Sequence, residues 1–334
     1  MPRPISGQTV VITGASSGIG RATALTFGKL GANVVLASRS EAALREVAAL
    51  IESEGSRAHV VVTDVSNWMQ VEHLAKEAIN HFGRVDTWVN DASVAIYGTI
   101  DQLEADELEQ VIRVNLLGVM FGTKAILPYM EQQGGGTIIN VASGLGERSV
   151  PLQAAYSASK RGVIGFSEGI RMELEQAQKG ITITVIKPAS INTPFFNHAR
   201  SKTGVKPQPI PPVYPPQLVA DSIVFAAENP RRDLSVGGMS KLVEIGEHFS
   251  PSLNDWLMKA GGIMFKMQQT DRPDDGVDNL FAGVDGVGRV EGDFGQMTVK
   301  SSPYTTLLEQ HPGRKRALWL MGALGLGVLL LRRR

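Results

Sequence analysis

Residues Thr9 to Gly20 read TVVITGASSGIG, an apolar run that turns through three glycines into a helical pattern. The run Thr9–Thr13 is a buried strand by its composition, because β-branched residues fill it without polar alternation. The turn is Thr13-Gly14-Ala15-Ser16-Ser17-Gly18-Ile19-Gly20. Its spacing is Gly-x3-Gly-x-Gly, not the Gly-x-Gly-x2-Gly of the common dinucleotide fingerprint. Glycines at such a turn let the main chain come close to a pyrophosphate. The helix that follows offers unpaired N–H groups and the positive end of its dipole. Gly14, Ser16, Ser17, Gly18, Ile19 and Gly20 are therefore candidate phosphate-binding residues. A glycine trio can also be a plain structural turn, and the rest of the chain has to decide.

Working outward, five more strand-like runs follow: Val34–Ser38, His59–Val62, Thr87–Asn90, Thr137–Val141 and Ile181–Lys187. Helical segments such as Glu41–Glu54, Gln70–Phe82 and Glu107–Tyr129 separate them. This alternation predicts an α/β fold: a doubly wound parallel sheet, Rossmann-like, in a single domain with helices on both faces. The domain is expected over residues 1–240. Residues 202–217 hold six prolines and must be extended, while Gln217–Glu228 is helical, opened by Pro215 and Pro216. A helical extension covers 241–270, with a helix at Ser252–Met267. Residues 271–313 are rich in Gly and Asp and are expected to be a flexible tether. The alternative is an irregular but docked tail pinned by Leu280, Phe281 and Phe294.

Residues 314–334 differ from all of this. Ala317–Leu331 carries no charge, and three cations flank it on each side. As a helix it is ~22 Å long, short of the ~30 Å of a bilayer core, although arginine stems at both ends can snorkel. It is expected to be a single transmembrane anchor, with an interfacial or a buried helix as the alternatives. Ala323 and Gly327 form a small-xxx-small pair that could pack two such helices. The N-terminus lacks a signal-peptide core, so the catalytic domain is expected on the cytoplasmic side of the membrane.

Composition narrows the function. Lys+Arg and Asp+Glu are both 33, so the net charge is zero, which argues against a nucleic-acid partner. There is no cysteine, which removes disulfides, thiolate metal sites and cysteine nucleophiles. The six histidines are scattered without ligand spacing, so no metal site is expected.

The second strand ends Ser38-Arg39-Ser40. An acid here would bind a ribose 2′-OH and select NAD. An arginine instead suits a phosphate, so Ser38, Arg39 and Ser40 favour NADP(H) over NAD(H). The alternative is a solvated arginine at a helix start. Asp64 and Val65, at the end of the third strand, could reach the adenine; Asp64 or Ser66 could equally cap the next helix. Tyr156-Ser157-Ala158-Ser159-Lys160 places Tyr156 and Lys160 four apart on one helix face. The ammonium is expected to lower the phenol's pKa from its ordinary value near 10. Ser143, just past the fifth strand, stands at the carboxyl edge of the sheet, where ligands of such folds bind.

Together these motifs resemble the short-chain dehydrogenase/reductase family from about Ser6 to about Gly238. The resemblance rests on the Thr-Gly-x3-Gly-x-Gly turn, the Asn-rich end of strand four, a mid-helix Asn, then Ser, Tyr and Lys. It implies that Asn115, Ser143, Tyr156 and Lys160 form the catalytic set. Asn115 would stabilise a helix irregularity and hold a water beside the lysine. Tyr156 and Lys160 would also contact the cofactor. Asn90 would lie near the adenine ribose, and Pro188 and Thr193 near the nicotinamide. Two departures stand out: Asn90-Asp91-Ala92-Ser93 where the family has Asn-Asn-Ala-Gly, and Pro188-Ala189 where it often has Pro-Gly. Both read as changes of loop geometry rather than of chemistry.

The expected function is hydride transfer between NADP(H) and a carbonyl or secondary alcohol, with Tyr156 as general acid/base. The segment Pro194–Gln217, with Phe195, Phe196, Val205, Ile210, Val213 and Tyr214, should cover an apolar pocket, so the substrate is expected to be lipophilic. A homo-oligomer is expected as well. The alternative is a non-catalytic, membrane-tethered nucleotide-binding scaffold or sensor of the same fold.

Overall fold

The structure is a computed structural model and describes residues 4–311 apart from 285 and 287. The expected anchor at 314–334, with Ala323 and Gly327, lies outside the described residues.

In chain order, β1 (Thr9–Thr13), α1 (Gly18–Lys29), β2 (Asn33–Ser38), α2 (Glu41–Ser53), β3 (Arg57–Val62), α3 (Trp68–Phe82) and β4 (Thr87–Asn90) form the first half. There follow β5 (Ile96–Tyr97), α4 (Ala105–Ile112), α5 (Gly118–Gln132), β6 (Gly136–Val141), α6 (Ala154–Ala177) and β7 (Ile181–Pro188). The remainder is β8 (Arg200–Ser201), β9 (Val205–Pro207), α7 (Pro216–Glu228), β10 (Asp233–Val236), α8 (Gly238–Phe249), α9 (Pro251–Lys259), α10 (Ile263–Lys266) and β11 (Gln269–Pro273).

Seven strands form one parallel sheet in the order β10-β7-β6-β4-β1-β2-β3. The order reverses after β3, where the chain returns to β4 beside β1, and that switch point opens a crevice at the carboxyl edge. The central strands are apolar throughout because helices cover both faces: Val10, Val11 and Ile12 are fully buried. On one face Phe27, Leu44, Ile51 and Ile223 pack from α1, α2 and α7. On the other, Leu74, Val111, Ile126 and Leu174 pack from α3 to α6. Each such side chain contributes about 1.5–3 kcal/mol of burial. The seventh strand, Asp233–Val236, went unread in the sequence because it is short and carries Asp and Ser.

Three expectations on helices need correction. The helix read as Glu107–Tyr129 runs from Ala105 to Gln132 and contains a π-turn at Arg113–Leu117. Among the described residues this stretch is long and apolar enough to cross a membrane, but half of it is buried in the domain, where it packs as a core helix. The helix read as Ser252–Met267 is broken in two by Gly261 and Gly262, both at positive φ. The cap of α3 is Asn67, whose Oδ1 accepts the N–H of Met69 and Gln70, rather than Asp64 or Ser66.

The segment expected to be a loose tether is docked. Leu280 is fully buried, and its carbonyl accepts from Gln110 Nε2 at 3.1 Å. Arg200 bonds Asp278 at 2.8 Å and stacks over Phe281. Further on, Val299 N–H donates to Val213, and Gly237 N–H donates to Thr305 Oγ1 at 2.9 Å. A composition rich in Gly and Asp hid this because a few apolar residues and main-chain bonds, not periodic packing, hold the tail. The extension α8 to α10 exposes Leu242, Phe249, Trp256 and Ile263 to solvent.

Candidate active site

The turn after β1 is held from two sides. Thr13 Oγ1 accepts the N–H groups of Asp91 and Ala92 at 3.1 and 3.3 Å, tying it to the loop after β4. Gly14 has φ +76°, and a Cβ there would stand 2.9 Å from the Ala92 main chain. A Cβ on Gly20 would stand 2.2 Å from the Gly14 carbonyl oxygen. Only glycine fits such a turn. Gly20 thus packs beneath the turn, while Gly14, Ser16, Ser17, Gly18 and Ile19 line the crevice. The Ser17 side chain makes no capping bond to α1.

Ser38, Arg39, Ser40, Asp64 and Val65 line the same crevice at the ends of β2 and β3. Arg39 is not a solvated surface residue. Burial pushes its pKa below the ordinary value and the nearby Asp64 opposes the shift. Its Nη2 donates to the Asn279 carbonyl at 2.5 Å, whereas its Nη1 is buried without a partner.

At the other end, α6 begins at Ala154 and carries Tyr156 and Lys160 on one face. Both are buried, and Ser143, just past β6, completes the group. The Lys160 Nζ donates to the Val141 carbonyl at 2.9 Å and lies 5.7 Å from the Tyr156 ring centre. The expected acidified phenol is not what this geometry gives. Burial pushes the Tyr156 phenol up to about 12, helped by the Asp91 charge, while hydrogen bonds with Ser143 and Ser93 pull it back only in part. Burial likewise lowers the pKa of Lys160 and raises that of Asp91, and each charge opposes the other's shift.

Asp91 and Ser93 are therefore part of the site, not merely variants of loop shape. Asp91 faces the crevice with Lys160 and accepts a bond from the Gly20 main chain. Ser93 Oγ donates to Asn115 Oδ1 at 3.1 Å. The signal was present in the sequence: Asp91 brings a charge, and Ser93 a hydroxyl, into the loop after β4.

Asn115 does not line the crevice. It is fully buried at the π-turn, where its Oδ1 also accepts from Val94 N–H at 2.8 Å. Its Nδ2 donates to the Val94 carbonyl and to Ser159 Oγ. Its polar atoms brace the loop after β4 against α6. Asn90 is likewise turned into the sheet and not toward a ribose: it accepts from Trp88 Nε1 and donates to Asn140 Oδ1, both at 2.8 Å. Pro188 and Thr193 line the crevice, as does His198, whose two ring nitrogens have no partner. Nothing in the spacing of the histidines separates His198 from the others.

The crevice encloses about 540 Å³ and becomes apolar beyond Tyr156, where Leu145, Val150, Phe196, Met239 and Met264 line it. Phe195 stacks edge-on against Tyr156. Ile210 contributes as expected, whereas Val213 and Tyr214 are buried in the domain and do not line the cavity. Among the described residues no group of acids and histidines could hold a metal.

The glycine cradle, the unpartnered Arg39 amine and the length of the crevice fit a dinucleotide with a substrate beyond it. The fold and site define an α/β oxidoreductase that binds a nicotinamide dinucleotide at the carboxyl edge of its sheet. The chain belongs to the short-chain dehydrogenase/reductase family, since the short chain dehydrogenase family model matches residues 8–204. It is 38% identical over 273 residues to the uncharacterized oxidoreductase YxnA of Bacillus subtilis, covering 81% of this chain and 76% of that one. A short-chain dehydrogenase/reductase from Burkholderia phymatum, solved in complex with NAD, matches with a TM-score of 0.68 and 27% identity, over 75% of this chain and 96% of that one. An alcohol dehydrogenase from Thermococcus sibiricus, complexed with 5-hydroxy-NADP, matches with a TM-score of 0.61 and 25% identity, over 69% and 96%.

Proposed function

We propose that the protein is an NADP(H)-dependent reductase of a lipophilic carbonyl compound, held at a membrane through residues 314–334 with its catalytic domain on the cytoplasmic side. The observation that carries the reading is the crevice itself. It joins a half-buried arginine, whose Nη1 is buried and unpartnered, to a buried Ser143, Tyr156 and Lys160, and continues into an apolar end. Gly14, Ser16 to Ile19, Ser38 to Ser40, Asp64, Val65, Pro188 and Thr193 would hold the dinucleotide. When bound, it supplies the hydride.

The side chains supply the proton and the positioning. A phenol held near 12 by burial is protonated at neutral pH, which suits an acid more than a base. Tyr156 donates that proton to the substrate oxygen as negative charge develops there. Ser143 holds the same oxygen. The Lys160 ammonium stabilises the phenolate left behind, and Asn115 keeps the loop carrying Asp91 and Ser93 in register. The apolar lining and the exposed Phe249 and Trp256 on the neighbouring helices support a substrate taken from a lipid environment.

The test is consumption of NADPH or NADH by the full chain against a panel of lipophilic and hydrophilic ketones and aldehydes. The expected result is turnover of lipophilic carbonyls with NADPH, falling by about 10²–10⁴ in Tyr156→Phe. A tight NADPH complex with no turnover on any carbonyl, in wild type and variant alike, overturns the reading and leaves a binding scaffold.

A further inference from the structure

We propose that two described stretches of the C-terminal tail, 279–284 and 288–294, roof the dinucleotide site and must lift for the cofactor to exchange. The proposal rests on the cofactor reading above and adds a binding element outside the segment matched by the family model.

The path of the tail carries the argument. At the end of β2, the Asn279 carbonyl takes the Nη2 of Arg39, and Gly283 lies against the Arg39 main chain. Gly288 follows over Arg21, beside α1 and α2. The Arg289 carbonyl then accepts the N–H of Gly18, the first residue of α1, at 2.9 Å. Gly292 N–H donates to the Asn192 carbonyl, and the Phe294 N–H to Asn192 Oδ1 at 3.1 Å, beside Thr193. Phe294 packs edge-on against Phe196. The tail therefore crosses above the ends of β2, β1 and β7 in turn, along the line a dinucleotide would follow.

A second observation points to a ligand under this roof. Arg39 Nη1 and Asn279 Oδ1 are both buried without a partner, and both residues line the crevice, one from the floor and one from the tail. Buried polar groups are rarely left unbonded. A polar adenosine end between them would satisfy both. The tail is fastened on either side: Leu280 is fully buried, and Asp278 bonds Arg200. Release of a molecule beneath it requires these contacts to open.

The test measures NADPH affinity and release from the full chain by displacement, in wild type, Leu280→Ala and Gly292→Val. The first removes the anchor. In the second, a Cβ would stand 2.4 Å from the Thr193 carbonyl oxygen, so the tail cannot lie down. Folding of each is checked by circular dichroism and melting temperature, and Gly292→Val leaves the core intact if Leu280→Ala does not fold. The expected result is release faster by roughly tenfold or more, with association no slower than in the wild type. Wild-type release rates in Gly292→Val, or in both folded variants, overturn the roof alone. A wild-type chain that binds neither NADPH nor NADH overturns the cofactor reading and the roof with it.

Discussion

The ammonium of Lys160 is hydrogen-bonded to the main-chain carbonyl of Val141 at 2.9 Å, the last residue of the strand that leads to Ser143. That bond fixes the lysine between the end of β6 and the loop after β4, where the half-buried Asp91 carboxylate acts on it. The charge balance at the site is thus set by three groups, Tyr156, Lys160 and Asp91, rather than by the tyrosine and lysine alone.

Asp91→Asn is the sharpest probe of that balance. The carboxylate raises the pKa of both Lys160 and Tyr156. Without it, both lose their protons at lower pH, and reduction needs both protonated. The alkaline limb of kcat/KM should move to lower pH by roughly one unit. An unmoved limb in a folded variant removes Asp91 from the site's electrostatics.

Arg39→Asp should turn cofactor preference from NADP(H) towards NAD(H). A carboxylate at the end of β2 repels a 2′-phosphate and accepts from a 2′-OH. The ratio of kcat/KM for the two cofactors checks this, and an unchanged ratio excludes Arg39 from the binding site.

Glu107→Gln tests the lock that holds the tail side of the molecule. Glu107 is buried, bonds Arg200 and Lys202 at 2.8 Å and accepts the Glu104 N–H. Burial tends to raise its pKa, but Lys202, the Glu104 main chain and Arg200 together lower it. A lowered carboxyl pKa contributes stability that is present above the ordinary value of 4.5 and is lost as pH falls through the folded value. The variant should be less stable by about 1–3 kcal/mol at pH 7, with the difference narrowing below about pH 4. Denaturant titrations at the two pH values measure it; equal stability at pH 7 contradicts the lock.

Ending the chain after His311 should release active protein from membranes. Sedimentation of full-length and shortened protein with lipid vesicles checks this. Continued co-sedimentation of the shortened form moves the contact to the exposed face of α8 to α10, where Phe249 and Trp256 stand.

Much of the fold was legible in sequence because parallel strands covered on both faces leave mostly apolar runs, and six of the seven sheet strands were read from theirs. Ser143, Tyr156 and Lys160 were legible only in combination, through the set of motifs that carries the family resemblance. What stayed hidden depends on contacts between distant segments. Asn90 looks like a ligand-facing residue until the sheet shows that its amide is already spent on neighbours, and the bonds by which Asn115 ties the π-turn to the loop after β4 are visible only in three dimensions. The elevated phenol pKa is a property of burial, which spacing does not reveal. The tail carries no periodic pattern, so its path over Arg39, Gly18 and Asn192 could be seen only in three dimensions.

The bond between Gly18 and Arg289 also bears on how the chain comes to be folded during synthesis. Its partners are 289 − 18 = 271 positions apart. Domains form in the order they leave the ribosome, so the sheet and its helices can assemble while the last stretch is still being made. The closing segment can be laid across them only afterwards. A nascent chain stalled before that point would carry a finished scaffold with an uncovered trough.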